Sequence, residues 1–440
     1  MSAASRIIVA ATGAAATIIV ARLLGPAGAG AYAIAQTLIA LLTVATTLGV
    51  EHGIVYYVSS GRWAAAAAFR SAQRVALLSG LAGAAAGILA RMIVPSAFRS
   101  LSVPDTIVAA AALPFALSWL YVSYTALAVD RYEAYVLPAA IQSVAAMALV
   151  ATLAAVDGVG GAVLGFTAAH VITAAVMLIA GRPRRGSDGH PASGADEPGQ
   201  LRRAISFGVR GYAANALQFV NYRLDLFILN AAVTTAAVGQ YSVAVAVTTV
   251  LWLLPQALGD VLFPRVAALA ARTTDDAEAA LAMAETKGLR HCLVLTVVAT
   301  TVLALALLLL VVPIYGPRFE PAIDLGLILL PGSALLGLAS PLSAIVVGRG
   351  HPRMMLTVTL IVTPVTIVLY LVLIPTLHAD GAALASTISY SATFLLVAGF
   401  HARVTGNHLL TSMLPTRSEW DDYRRLGPAI ATWATGLHRR

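Results

Sequence analysis

The chain has 440 residues, which by length alone is enough for two or three soluble domains. Hydrophobic residues make up 59% of it and charged residues 11%, whereas a soluble domain carries about 25% charged residues. This composition excludes a soluble globular protein, a disordered chain and a coiled coil, and the single cysteine, Cys292, excludes an intrachain disulfide. The net charge is +8, and all 28 cations except Lys287 are arginines. In an integral membrane protein this excess indicates cytoplasmic loops rather than a nucleic-acid partner.

Twelve segments are apolar over the ~20 residues that a membrane-spanning helix needs. They cover residues 6–24, 31–57, 71–94, 105–129, 134–156, 160–181, 204–231, 238–266, 289–314, 323–347, 353–375 and 382–403. Runs such as 299–312 do not alternate with a period of two, so they predict helices rather than barrel strands. Residues 22–26 read as a short turn into the second span, which predicts that the first span is an uncleaved helix rather than a signal peptide.

Arginine positions predict the orientation. With the N-terminus in the cytoplasm, 22 cations fall on the inner side and four on the outer side, the latter being Arg22, Arg91, Arg99 and Arg318. Such an asymmetry is typical of a cytoplasmic membrane protein whose two termini are both cytoplasmic. We predict an N-terminal six-helix lobe at 1–181, a cytoplasmic linker at 182–203, a C-terminal six-helix lobe at 204–405 and a cytoplasmic tail at 406–440. Arginines in the linker are candidates for contact with anionic membrane lipids, although a topology signal alone explains them as well.

The two halves of the chain resemble each other. Residues 30–35, GAYAIA, match 239–244, GQYSVA, at an offset of 209 residues, and Glu51 and Asp260 share that offset. Pro95 and Pro313 lie 218 residues apart. Each half has six spans, so both halves face the same way, as in parallel repeats related by an axis along the membrane normal. The expected fold is therefore an all-α integral membrane protein of twelve transmembrane helices in two six-helix bundles related by a pseudo-two-fold axis.

Two stretches resemble a known family. The first is ARLLGPAGAGAYA at 21–33 followed by LGVE at 48–51, and the second is RLDLFIL at 223–229 followed by VGQYSVA at 238–244 and FPR at 263–265. Both are similar to the polysaccharide-transporter branch of the multidrug/oligosaccharidyl-lipid/polysaccharide (MOP) flippase superfamily, which includes O-antigen flippases. The resemblance covers roughly residues 5–405. It implies two bundles in a V shape around a central cavity. It also implies transfer of a polyprenyl-diphosphate-linked oligosaccharide from the inner to the outer leaflet for surface polysaccharide export.

The seventh span carries the densest set of polar residues. At 100° per residue, six of its side chains fall within an arc of roughly 140°. They are Arg210, Asn215, Gln218, Asn221, Tyr222 and Asp225. Because lipid cannot solvate such a stripe, we expect it to line the cavity. A guanidinium matches diphosphate oxygens, so Arg210 is the candidate headgroup ligand, and the amides are candidate ligands of sugar hydroxyls. Polar contacts between helices and a buried ion pair are the alternative explanation.

Besides Asp225, four charged residues are candidates for function: Arg22, Arg223, Glu51 and Asp260. Arg22 and Arg223 lie near the outer ends of their spans, where either substrate binding or snorkelling to the interface explains them. Asp225 is a candidate for balancing a nearby cation or for binding a coupling cation. Glu51 and Asp260 are matched acids near the inner ends of spans two and eight, and we expect them to latch the inner gate or to serve local charge balance.

Other functional classes find little support in the sequence. Outer loops are too short, and acids too scattered, for a membrane glycosyltransferase, and the phosphate-binding loop motif of ATPases is absent from the sequence. We therefore expect no enzymatic activity, no cofactor and no metal site, and a drive from an ion gradient or the membrane potential. An ion-coupled multidrug exporter on the same scaffold is the alternative function, and a non-transporting membrane scaffold is a third. Polysaccharide-assembly proteins are candidate partners.

Overall fold

The computed structural model describes residues 3–182, 199–272, 274–406 and 413–414; the side chains of 3–8, 10, 210–215, 275 and 277 are outside this description. Within these ranges all regular secondary structure is helical. Its α-helices are α1 (Ala3–Thr46), α2 (Val50–Ser59), α3 (Ala65–Ile93), α4 (Val103–Ala111), α5 (Leu113–Ala128), α6 (Tyr132–Ala180), α7 (Gln200–Ala232), α8 (Thr235–Thr248), α9 (Leu253–Ala270), α10 (Asp275–Tyr315), α11 (Pro321–Gly348) and α12 (Met354–Thr405). Three short 3₁₀ helices join them, at Pro95–Phe98, Thr249–Trp252 and Pro317–Phe319.

Several long helices contain a sharp bend, so that one helix makes two passes. Gly25 interrupts α1 with φ 67° and ψ −171°, a backbone conformation open to glycine, and Pro26 follows it. Asp157 and Gly158 divide α6 in the same way, and His378 divides α12. Within the described residues, eight helical segments are long and apolar enough to cross a membrane, and three of them contain these bends. Helix α7 is not among the eight. With the bends counted and α7 added, the described chain has the twelve predicted passes.

The second predicted span is interrupted. Residues 31–57 were expected as one helix, whereas α1 ends at Thr46 and α2 begins at Val50. Leu48 and Gly49 between them both have positive φ, 54° and 66°. The side chain of Thr47 accepts a hydrogen bond from the Gly49 amide, which stabilises the turn. Hydropathy cannot reveal such a break, because the turn residues are as apolar as the helices around them.

The chain packs into two compact units. The larger contains Met1–Val247, Ala306–Leu329 and Thr359–Ser386, and its core includes Ile54 of α2, Ala72 of α3 and Leu117 of α5, all fully buried. The smaller contains Thr248–Leu305, Leu330–Val358 and Thr387–Arg440. Within the smaller unit Arg349 makes a bidentate ion pair with the buried carboxylate of Glu285, at 2.7 and 2.8 Å. The division into lobes at residues 181 and 204 stays a prediction.

Candidate functional site

Asp225, in the larger unit, is the most buried of the described side chains in the polar stripe of α7, at 1% exposed. One carboxylate oxygen accepts a hydrogen bond from the backbone amide of Leu226 at 2.7 Å, and the other accepts the Tyr241 hydroxyl of α8 at 2.6 Å. Burying an unpaired carboxylate in an apolar interior would cost several kcal/mol, and these two hydrogen bonds offset that cost for Asp225. The α7 stripe is therefore held by α8 at this position.

The hydrogen bonds continue from Tyr241 into α12. The Tyr241 hydroxyl lies 3.1 Å from the Ser386 hydroxyl, which in turn lies 3.0 Å from the Tyr370 hydroxyl. Tyr241, Ser386 and Tyr370 are all fully buried. We call Asp225 and these three residues the Asp225 cluster. Helix α12 contributes to it from both sides of its bend at His378. The bend thus brings two distant parts of one helix to the same carboxylate network.

The remaining described members of the stripe lie along the same helix. Asn221 is 4% exposed, and its side-chain oxygen has no hydrogen-bond partner among the described residues. It stands four residues before Asp225, one helical turn away on the same face. Gln218 donates to the Tyr222 hydroxyl at 2.6 Å, and both are half-buried. Arg223 is also half-buried. Buried oxygens of carboxylate, amide and hydroxyl groups are thus concentrated on one turn of α7.

Two predicted site residues cannot be placed at the level of side chains. Arg210 and Asn215 belong to α7, but their side chains lie outside the described part of the structure. Their assignment to the headgroup site therefore rests on their position along the stripe and stays a prediction.

Arg22 lies apart from the α7 stripe. Its side chain is exposed at the bend of α1 and donates to the backbone carbonyls of Ile314, at 2.6 Å, and Pro313. Those carbonyls belong to the last turn of α10, where helix carbonyls have no partner in their own helix and a positive charge is favourable. The structure thus gives Arg22 a contact that sequence reasoning did not consider.

The two predicted gating acids differ in environment. Glu51 is 3% exposed and accepts the Thr47 hydroxyl at 3.0 Å, with a ring nitrogen of His52 3.5 Å from the same oxygen. Its other oxygen has no partner among the described residues. Asp260 is exposed in the smaller unit. The described contacts of Glu51 are local, and a latch that uses both acids stays a prediction.

Sequence reasoning missed the partners of Asp225. Tyr241 lies inside the 238–244 motif, which marked it as a residue of interest without indicating what it contacts. Ser386 and Tyr370 carry no sequence signal beyond being polar groups in apolar spans. Among the described residues, no group of three or more His, Cys, Asp or Glu is arranged to hold a metal ion.

Comparisons with known proteins agree with this architecture. A model of the polysaccharide biosynthesis protein family matches residues 19–324, more than half of the chain. A search of curated protein sequences finds no match. Among solved structures, the lipid II flippase MurJ in an inward closed conformation aligns with a TM-score of 0.70 at 12% identity, covering 93% of this chain and 88% of MurJ.

Two multidrug transporters have a similar fold. An inward-facing multidrug resistance MATE family transporter of the MOP superfamily aligns with a TM-score of 0.65 at 15% identity, covering 90% of this chain and 95% of the transporter. The MATE multidrug transporter DinF-BH in complex with R6G aligns with a TM-score of 0.58 at 15% identity, covering 91% and 92%. These proteins are flippases and transporters rather than enzymes, and the predicted superfamily, fold class and multi-pass membrane character are confirmed. The chain belongs to the polysaccharide biosynthesis protein family and has the twelve-helix, pseudo-symmetric fold of the MOP superfamily.

Proposed function

We propose that this protein is a flippase that moves a polyprenyl-diphosphate-linked oligosaccharide from the inner to the outer leaflet of the cytoplasmic membrane by alternating access. The observation that carries the proposal is the polar stripe of α7, in a chain of the polysaccharide biosynthesis protein family. A charged side chain in the middle of a membrane helix costs at least ~2.5–3.5 kcal/mol. The stripe therefore needs a compensating role, and passage of a polar headgroup provides one.

The residue types of the stripe suit the proposed headgroup. Arg210 is assigned to the diphosphate, since a guanidinium stays charged and forms paired hydrogen bonds with phosphate oxygens. Asn215, Gln218, Asn221 and Tyr222 are assigned to sugar hydroxyls, which both donate and accept hydrogen bonds. The orphaned oxygen of Asn221 supports this assignment, because a buried acceptor without a partner favours a ligand that supplies one. Arg22 and Arg223 stand closer to the outer end and are assigned to late steps of the passage.

The Asp225 cluster is assigned to coupling. Carboxylate, amide and hydroxyl oxygens are the ligands that hard cations prefer, and a buried carboxylate equally accepts a proton. Asp225 supplies such oxygens, and the hydroxyls of Tyr241 and Ser386 continue the set. We assign to this cluster the binding of a coupling cation whose gradient drives the cycle. Glu51 and Asp260 are assigned to the inner gate, and both termini to the cytoplasm.

A multidrug exporter is the second candidate. It is favoured by the structural likeness to MATE transporters, one of which is described in complex with R6G. The polysaccharide family match ranks the glycolipid first. The two substrates differ in charge, since the glycolipid headgroup is anionic and such a dye is cationic. The positive charge of Arg210 should therefore favour binding of the glycolipid and disfavour binding of the dye.

Equilibrium binding distinguishes the two candidates. Purified protein would be titrated with a fluorescent polyprenyl-diphosphate oligosaccharide and, separately, with rhodamine 6G. We expect the glycolipid to bind and to be displaced by its unlabelled form. A hydrogen bond to a charged group is worth about 1.5–3 kcal/mol, so Arg210→Ala should weaken glycolipid binding roughly 10- to 150-fold. Arg99→Ala, at an exposed arginine next to a 3₁₀ helix, is the matched control and should leave it unchanged. Saturable binding of the dye without binding of the glycolipid would favour the multidrug exporter over the flippase.

A further inference from the structure

Two of the 3₁₀ helices occupy corresponding places in the two halves of the chain. Pro95–Phe98, the first elbow, follows α3, and Pro317–Phe319, the second elbow, follows α10. Pro95 begins the first elbow, and Pro313, 218 residues later, lies in the last turn of α10 before the second elbow. Both elbows belong to the larger unit. The arginine distribution predicts that they lie at the outer end of the spans.

The first elbow is held by the end of α7, in the other half of the chain. Asn230 is fully buried and donates from its side-chain amide to the carbonyl of Ala97 at 2.8 Å. One turn earlier, the ring of Phe227 packs against Phe98, with ring centroids 5.2 Å apart. Helix α7, in the second half of the chain, therefore contacts the first elbow through one hydrogen bond and one aromatic contact.

The second elbow is held by α1, in the opposite direction. Arg22 donates to the carbonyls of Pro313 and Ile314 in the last turn of α10, which leads into this elbow. On α8, the side-chain amide of Gln240 donates to the carbonyl of Arg318 at 2.9 Å. The first half of the chain thus grips the end of α10 through Arg22, while Gln240 fixes the elbow itself.

The two grips are related by the internal repeat. Arg22 lies at the end of the first pass of α1, and Asn230 at the end of α7, the corresponding pass of the second half. They are 208 residues apart, one short of the 209-residue offset that relates 30–35 to 239–244. In both contacts a side-chain nitrogen on one half donates to a main-chain carbonyl of the other half, in the elbow itself for Asn230 and in the helix turn before the elbow for Arg22. Main-chain acceptors make the contact independent of the side chains in the elbow.

We propose that Arg22 and Asn230 form a reciprocal latch that holds the outer end of the bundle closed and sets how often it opens. The function of the latch rests on the proposed transport cycle, whereas its contacts do not. Opening the outer end requires the halves to separate there, which breaks both sets of hydrogen bonds together. A hydrogen bond between neutral groups is worth a factor of about 2 to 10 in an equilibrium constant, and the same range applies to Arg22 because water competes for its exposed side chain. Removing either grip should shift the open population by that factor, and removing both should approach the product.

Accessibility of a reporter cysteine from the outside measures that population. The background is Cys292→Ala, which removes the single cysteine of the sequence. The reporter is Gln218→Cys, which is half-buried and 12 residues, about 18 Å, before Asn230 along α7. The variants are Arg22→Met and Asn230→Leu, which keep the size of each side chain and remove its donors. Arg99→Met is the matched control, because Arg99 is exposed next to the first elbow and makes no latch contact.

A membrane-impermeant maleimide is added to the outside of intact vesicles. We expect its reaction rate to rise about 2- to 10-fold for each latch variant and to rise further for the double variant, with no change for Arg99→Met. Unchanged rates in folded Arg22→Met protein would overturn the latch, and so would an equal rise in the Arg99→Met control. Arg22 is exposed, so this variant folds even if Asn230→Leu does not. The labelling assay uses no substrate, so its result can be interpreted even if the protein does not transport the glycolipid.

Discussion

Replacing Tyr241 with phenylalanine tests whether Asp225 is present as a carboxylate that depends on its hydroxyl donor. In the structure this hydroxyl donates at 2.6 Å to a side chain that is 1% exposed. A hydrogen bond to a charged group contributes about 1.5–3 kcal/mol, and one between neutral groups about 0.5–1.5 kcal/mol. Tyr241→Phe should therefore lower the free energy of unfolding by the larger amount. Tyr370→Phe, which removes a hydroxyl that contacts Ser386 rather than Asp225, should lower it by the smaller amount.

A double-mutant cycle isolates the charged contribution. In the Asp225→Asn background the acceptor at that position is neutral, so the cost of Tyr241→Phe should fall by about 1–1.5 kcal/mol. The cost of Tyr370→Phe should change by less, because its hydroxyl is one residue further along the cluster. Unfolding of purified protein in mixed micelles, followed by tryptophan fluorescence, gives the four free energies of each cycle. If Tyr241→Phe lowers the free energy of unfolding by the same amount in both backgrounds, the inference that Asp225 is ionised is wrong.

Two other contacts give predictions of stability. Arg349→Ala should destabilise the protein by about 3–5 kcal/mol, because it leaves the buried carboxylate of Glu285 unpaired, and adding Glu285→Leu should recover most of that loss in denaturation experiments. If adding Glu285→Leu does not recover the lost stability, the unpaired carboxylate of Glu285 is not the cause of the loss. Gly208→Ala should lower the melting temperature, because a methyl group there would overlap the carbonyl of Gly49. Gly399→Ala, in a helix with open space around it, should raise or maintain it; equal effects at both glycines would refute the close approach.

The helical architecture follows from the sequence because lipid imposes it. A backbone in hydrocarbon must satisfy its hydrogen bonds internally, so apolar runs of about 20 residues predict helices with little competition from other structures. The bend at Gly25 was equally readable, since a glycine before a proline breaks a helix. The break at Leu48 and Gly49 was not, because a leucine with positive φ depends on the packing around it rather than on its own preference.

The candidate site could be predicted in part. Its helix stood out because the polar residues of α7 recur on one face, and periodicity along one helix is a local property. The partners of Asp225 were not predictable, since Tyr241 follows by 16 residues and Ser386 is 145 residues further on. The grip of Asn230 on Ala97 is harder still to foresee, because its acceptor is a main-chain carbonyl that any residue would supply.

The most direct test of the proposed function is the rate at which the reconstituted protein moves a polyprenyl-diphosphate oligosaccharide across a vesicle membrane. Glycolipid that reaches the outer leaflet is captured by an external lectin, and protein-free vesicles give the background. We predict a protein-dependent rate that is reduced at least tenfold by Asp225→Asn and unchanged by Arg99→Ala. A rate equal to that of protein-free vesicles, from folded protein in either orientation and under an imposed sodium or proton gradient, would contradict the flippase assignment.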